Sequence, residues 1–147
     1  MGLPRSAFHY LELVTLSRWE QSVDVELAGH GSLGLSWEEW RTCYNLAKAF
    51  GWKPAGTLGP EDRTHWGGQA GINPEFDMGY FSKNSQRVTD ADAKAFAQAL
   101  QTAMSTWNAG QELTLEQHRA FMGVPKHFDS YVVRVAEHAA RSGFLIL

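Results

Sequence analysis

One amphipathic pattern limits the folds open to this chain more than any other feature. From Thr89 onward, Ala93, Phe96, Ala97, Leu100, Ala103, Met104 and Trp107 recur at helical spacing, tracing one apolar face through about four to five turns. A helix of that length is marginal alone in water, so the face must pack against other elements. Its start is equally well marked. Thr89 has the short hydroxyl of an N-cap, and Asp90 and Asp92 fall in the first turn, where carboxylates suit the helix dipole. Val88 precedes the cap and is placed to staple against Ala93.

The remaining elements follow from the same kind of signal. Ser36 and Glu39 form a capping box before a helix whose apolar face is Trp37, Trp40, Cys43, Ala47 and Phe50. Gly51 can take the left-handed position after it, and Pro54 blocks continuation. Ahead of this helix, Val23, Val25 and Leu27 alternate with polar residues as in a strand. "AGHG" supplies a turn, and Leu33 to Leu35 return as a short second strand. Phe8 to Trp19 is open between helix and strand, with strand favoured. Thr114 and Gln117 form a second capping box, opening a shorter helix that stops near Gly123–Val124–Pro125. A last helix is expected with Asp129 as cap, Phe128 and Val133 as staple, and Val132, Val135, Ala136 and Ala139 as its buried face. Gly143 ends it, and "FLIL" reads as a buried terminal strand, with simple core packing as the alternative for so short a run. The fold class is therefore α+β, with three to four helices packed on a small antiparallel sheet.

Composition narrows the class further. With 44% hydrophobic and 20% charged residues in 147, the chain has enough apolar material for one domain, residues 1–147, with a real core. Six Trp and eight Phe point to an aromatic-rich interior. The net charge of −3 and the scattered Lys and Arg disfavour a nucleic-acid partner. Cys43 is the single cysteine, which excludes an intramolecular disulfide or a cysteine zinc cluster and fits a reducing compartment. "MGLPRS" matches the loose myristoylation pattern at Gly2 and Ser6, but no polybasic stretch supplies a second anchor. With no long apolar run and no signal-peptide pattern, a cytoplasmic location is expected, away from the membrane.

Two stretches carry a resemblance. "GWKPAGT" presents Gly51, Trp52, Pro54, Gly56 and Thr57, and "GYFSKNSQRVTDADA" presents Tyr80, Ser82, Gln86, Val88, Asp92 and Ala93. In this outline, from Trp37 to Leu100, the chain resembles a group of small uncharacterised bacterial proteins. The resemblance implies an architecture and brings no activity with it. It also implies Gly before Gln86, where this chain has Ser85.

Candidate chemistry is sparse. Glu61, Asp62 and His65 in "EDRTHW" are the nearest approach to a metal pattern, yet a site needs three or four convergent ligands and no second half follows. Neither a metal nor a cofactor is expected. His118 and His127 flank a proline turn, and His138 shares a helix with Arg134 and Arg141 in an arrangement expected of a solvent face. Cys43 falls on an apolar helix face, where a thiol is buried and inert. Glu38 and Glu39 are adjacent on their helix and diverge around it, a poor acid–base pair. There is no nucleophile elbow and no phosphate-binding loop, so no catalytic residue is assigned.

One loop stands out. Residues 53–78 are rich in Gly and Pro and lack periodicity, and such long loops in small domains tend to be functional or mobile. Beside it, Thr89 and its neighbours explain the helix start, whereas Ser82, Asn84 and Gln86 read as a turn. Tyr80 and Phe81 point to opposite faces of an extended segment, with Tyr80 expected to be the partly exposed ring; the alternative is that both rings pack down and the polar residues only shape a turn. The expected function is thus a cytosolic, non-enzymatic binding or regulatory module. It meets a protein partner through Trp66, Tyr80, Ser82, Asn84 and Gln86. The competing expectation is a small enzyme using Asp62, His65 or Glu75 of the same loop.

Overall fold

The computed structural model describes residues 23–59, 79–82, 85–122, 124 and 127–147. Among these, strands β1 (Val25–Ala28) and β2 (Ser32–Leu35) form a hairpin that leads into helix α1 (Trp37–Ala49). Strand β3 (Gln86–Val88) runs directly into the long helix α2 (Asp90–Asn108). Helices α3 (Leu115–Phe121) and α4 (Phe128–Arg141) follow, and β4 (Phe144–Ile146) closes the chain. The sheet order is β2-β1-β4-β3 with every pairing antiparallel. The α+β reading holds, with four helices on a four-stranded antiparallel sheet. No helix among the described residues is long and apolar enough to cross a membrane.

Period-two alternation sets the sheet's inner face. Val25 and Leu27 of β1, Val88 of β3, and Phe144 and Ile146 of β4 are all buried. The last three residues before Leu147 occupy an interior position of the sheet, with Leu27 opposite Ile146 on one side and Val88 opposite Phe144 on the other. Gly143 makes this entry possible. A Cβ there would lie 2.3 Å from the Val88 carbonyl oxygen, so only glycine lets the chain pass under the start of α2. Its N–H donates to Asp90 Oδ1 at 2.6 Å, joining the two segments.

Helix faces complete the core as their periodicity requires. Trp40, Cys43, Leu46 and Ala47 of α1 are buried against Phe96 and Leu100 of α2 and Val132 and Val135 of α4. Each large apolar side chain so buried contributes on the order of 1.5–3 kcal/mol relative to exposure. The most extensive helix contact joins α2 to α4. Small residues on both faces, Ala93, Ala97 and Ala103 against Ala136 and Ala139, let the axes approach closely. Both capping boxes form, with Glu39 N–H donating to Ser36 Oγ at 3.1 Å and Gln117 N–H to Thr114 Oγ1 at 3.1 Å. Gly51 takes φ +102° after α1.

Several local expectations are corrected. Val23 is 48% exposed and β1 begins two residues later. Trp107 does not continue the buried face. It lies in the last turn of α2, 45% exposed, stacked on Phe121 at 4.5 Å. Helix α3, by contrast, stops near the Gly123–Pro125 stretch as expected, at Phe121 with Met122 as its C-cap. Asp129 is not the cap of α4: the helix starts at Phe128 after His127, without a side-chain cap, and Asp129 Oδ1 accepts from Ser130 N–H instead. Val133 then points outward and makes no staple. The strand expected over Phe8 to Trp19 lies outside the described residues.

Candidate functional site

Tyr80 is not the exposed ring. It is among the largest fully buried side chains, and the half-buried partner of the pair is Phe81. The pair lies in a tight turn and not an extended segment, and both rings pack against Tyr44, Tyr80 at 5.6 Å and Phe81 at 5.0 Å. What takes Tyr80 inside is the phenol tip: a tyrosine goes fully inside when its hydroxyl finds partners there. Phe81, with no polar tip, rests edge-on against Tyr44 at 5.0 Å and lies near Trp37, with the Arg41 guanidinium 5.3 Å above its ring.

The partners of Tyr80 form a buried cluster that the sequence conceals. Its hydroxyl donates to Asp92 Oδ2 and accepts from Gly56 N–H at 2.9 Å. The other carboxyl oxygen, Asp92 Oδ1, accepts from Trp52 Nε1–H at 2.9 Å and from Ala55 N–H at 3.3 Å. Trp40 Nε1–H donates to the Tyr80 carbonyl at 2.8 Å. Next to this cluster, Thr57 Oγ1–H donates to Gln86 Oε1 at 2.6 Å, and Leu58 exchanges two backbone bonds with Arg87 at 3.0 and 2.7 Å. Asp92 is thus more than a dipole residue of the first turn. It ties helix α2 to the chain that leaves α1.

Burial fixes what this cluster can do. Burial first, and then the adjacent Asp92 carboxyl, hold the Tyr80 phenol far above its ordinary range, so it remains a proton donor. Tyr80, Asp92, Trp52, Thr57 and Gln86 are all buried. The side chains of Tyr80, Asp92 and Trp52 hydrogen-bond to one another and to the backbone N–H groups of Ala55 and Gly56. Gln86 is therefore corrected as well: it is a fully buried strand residue of β3 and not part of a turn surface. Ser82 is half-buried at the end of a tight turn, its N–H donating to the Gly79 carbonyl. Trp66 and Asn84 lie outside the described residues, as do Glu61, Asp62, His65 and Glu75. Ser85 has φ +53°, the left-handed region. That conformation gives a physical reason for the glycine implied there by the resemblance.

The other titratable groups divide clearly. Cys43 is buried, and desolvation, reinforced by Glu39, pushes its thiol well above the ordinary range, in line with an inert structural cysteine. His118 and His127 are exposed. His138 is not on a plain solvent face. Its ring stacks on His30 at 4.5 Å, and Phe144 packs edge-on beside it. Burial first, then His30 and Arg141, lower its pKa from 6.5. His30, placed by sequence only in a turn, is the residue that the pattern missed. Its Nε2 lies 2.9 Å from the His138 carbonyl oxygen and its Nδ1 2.9 Å from Ser142 Oγ. A carbonyl only accepts, so Nε2 of His30 carries a proton. No local sequence signal links a hairpin tip to the end of a helix more than a hundred residues on.

Among the described residues no group of three His, Cys, Asp or Glu is placed to hold a metal ion. Comparison with family models, with curated proteins and with solved structures finds no match.

Proposed function

We propose that this chain is a cytosolic binding module that engages a protein partner through segment 60–78. The observation that carries the reading is the fastening of both stems of that segment. On one side, residues 52–58 are held by Asp92, by the Tyr80 hydroxyl and by the backbone of Arg87. On the other, Tyr80 is held through its carbonyl by Trp40 and through its side chain by Asp92. A rigid scaffold carrying a long connection is the usual arrangement for a recognition loop. The residues of the resemblance, Trp52, Gly56, Thr57, Tyr80, Gln86 and Asp92, serve as the fastening, which leaves the segment between them for recognition. Trp66 is its natural anchor, because tryptophan is enriched among residues that dominate binding energy. Ser82 and Asn84 border the second stem.

Affinity capture from the native host tests this reading. The wild-type chain should retain a protein that is lost when residues 61–75 are replaced by a Gly/Ser stretch of equal length, with the unfolding transition preserved. Equal capture by both chains, or capture by neither, would refute it.

A further inference from the structure

A second place in the molecule has no part in the loop reading. The tip of the β1–β2 hairpin borders a hollow at the end of α4 and rests on the entry to β4. A Cβ at Gly29 would lie 3.3 Å from the Gly143 carbonyl oxygen and 3.6 Å from Phe144 Cα. His30 fastens this contact. Its Nε2–H donates to the His138 carbonyl at 2.9 Å, and its Nδ1 lies 2.9 Å from Ser142 Oγ. The residue sits between Gly29 at φ +150° and Gly31 at φ +105°, so the backbone on both sides of it is of the kind that glycine turns most freely.

The ring of His138 is stacked on His30 at 4.5 Å, with Phe144 edge-on beside it at 5.8 Å. Its Nε2 is shielded from solvent and has no hydrogen-bond partner among the described residues. A neutral ring leaves a lone pair there and keeps its proton on Nδ1. A charged ring must bury an N–H at that place with no acceptor. The surrounding charges act in both directions. On its own helix Arg134 and Arg141 oppose a positive ring, while Glu137 and the carbonyl end of α4 favour one. From the hairpin, His30 opposes it when charged, and Glu26 accepts from the Ser32 hydroxyl. Asp90, at the start of α2, accepts from Gly143 N–H, and β4 brings no titratable side chain. Burial first, then His30 and Arg141, hold the pKa below 6.5 in spite of the acidic groups.

We propose that the His30–His138 pair is a pH-sensitive latch: with His138 neutral, His30 pins the hairpin tip to the end of α4, and protonation of His138 releases the tip. Once the tip lifts, the ring reaches water and its Nε2–H finds an acceptor there. The released form takes up the proton as an ordinary histidine does, whereas the pinned form resists it. The pinned form is therefore fully favoured above 6.5. As pH falls from 6.5 toward the lowered value, the ratio of released to pinned chains rises by up to about tenfold per pH unit. The release is local, because Glu26 exchanges two backbone bonds with Leu147, at 3.2 and 2.9 Å, below the tip.

Proton NMR of the full chain between about pH 7.5 and pH 5 tests the latch across the range in which histidine titrates. At the upper end, cross-relaxation should connect the His30 ring with the ring of His138. As His138 titrates, that contact should be lost, while the contact between the Trp40 and Phe96 rings, 5.6 Å apart in the core, persists. The Gly29 and Gly31 amide resonances should move along the His138 titration curve, and in His138→Gln that movement should vanish. A His30–His138 contact that survives the titration of His138 would overturn the proposal, and this wild-type result needs no variant to fold. So would equal movement of the glycine resonances in His138→Gln, or loss of the Trp40–Phe96 contact together with that of the tip.

Discussion

The Tyr80–Asp92 cluster and the His30–His138 hollow each gather aromatic and titratable side chains at one end of a helix, in opposite ways. At the start of α2 every donor meets an acceptor inside the protein: Trp52, Tyr80 and the Ala55 N–H all end on one carboxyl group. At the end of α4 one ring nitrogen is buried with no partner among the described residues, and Arg134 and Arg141 line a hollow. The first region resists change because unmaking any bond strands a buried group. In the second, His138 Nε2 is the group left over among the described residues, while His30 and Ser32 are already partnered. Saturated polar clusters fasten a fold, whereas a buried titratable group left over is where a proton can act.

Replacing Asp92 tests the contrast most severely. Asp92→Ala removes the acceptor of two buried donors, Trp52 Nε1–H and the Tyr80 hydroxyl, and of the part-buried Ala55 N–H, and at about 1–3 kcal/mol per stranded buried group it should cost roughly 2–5 kcal/mol. Denaturant unfolding measures this directly, and a loss below about 1 kcal/mol would show that the cluster is not a fastening. Tyr80→Phe keeps the ring and removes only the hydroxyl. It leaves Gly56 N–H and Asp92 Oδ2 short of a partner and should cost about 1–3 kcal/mol. A neutral result would place the fastening in ring packing alone.

The smallest effect concerns the hollow and has a defined sign. The pKa of His138 is lowered in the folded chain, so on acidification the unfolded chain takes up this proton first. Its contribution to stability is complete above 6.5 and is lost as pH falls from there toward the lowered folded value. Unfolding midpoints measured against pH should decline below 6.5, and His138→Gln should flatten part of that slope. An unchanged slope in the variant would mean that burial beside His30 and Arg141 does not disfavour the charged ring.

Local signals made much of the fold legible before any tertiary contact was known. The Ser36–Glu39 and Thr114–Gln117 boxes, the Thr89 cap, Gly51 and the terminal "FLI" strand are all found where residue chemistry places them. The failures share a cause. Trp107 is covered on one side by Phe121 and Phe128 and stays 45% exposed, and Val133 stays 42% exposed, because periodicity does not report the reach of a neighbour. Asp129 has the chemistry of a cap, but α4 starts at the residue before it.

The candidate sites were legible only in part. The motif residues around Tyr80 were visible as a pattern, but their role was not, because a tyrosine in a polar stretch reads the same whether its hydroxyl meets water or a buried carboxyl. The direction of that ring was decided by Asp92, twelve residues away, and by Gly56 in a separate segment. His30 gave no signal at all until the hairpin was laid against α4. The sequence by itself determined where helices and strands begin and which faces are apolar, because caps and periodicity act within a few residues. Only the tertiary structure decided which polar groups are spent and which stay open, because that depends on partners that folding brings from distant segments.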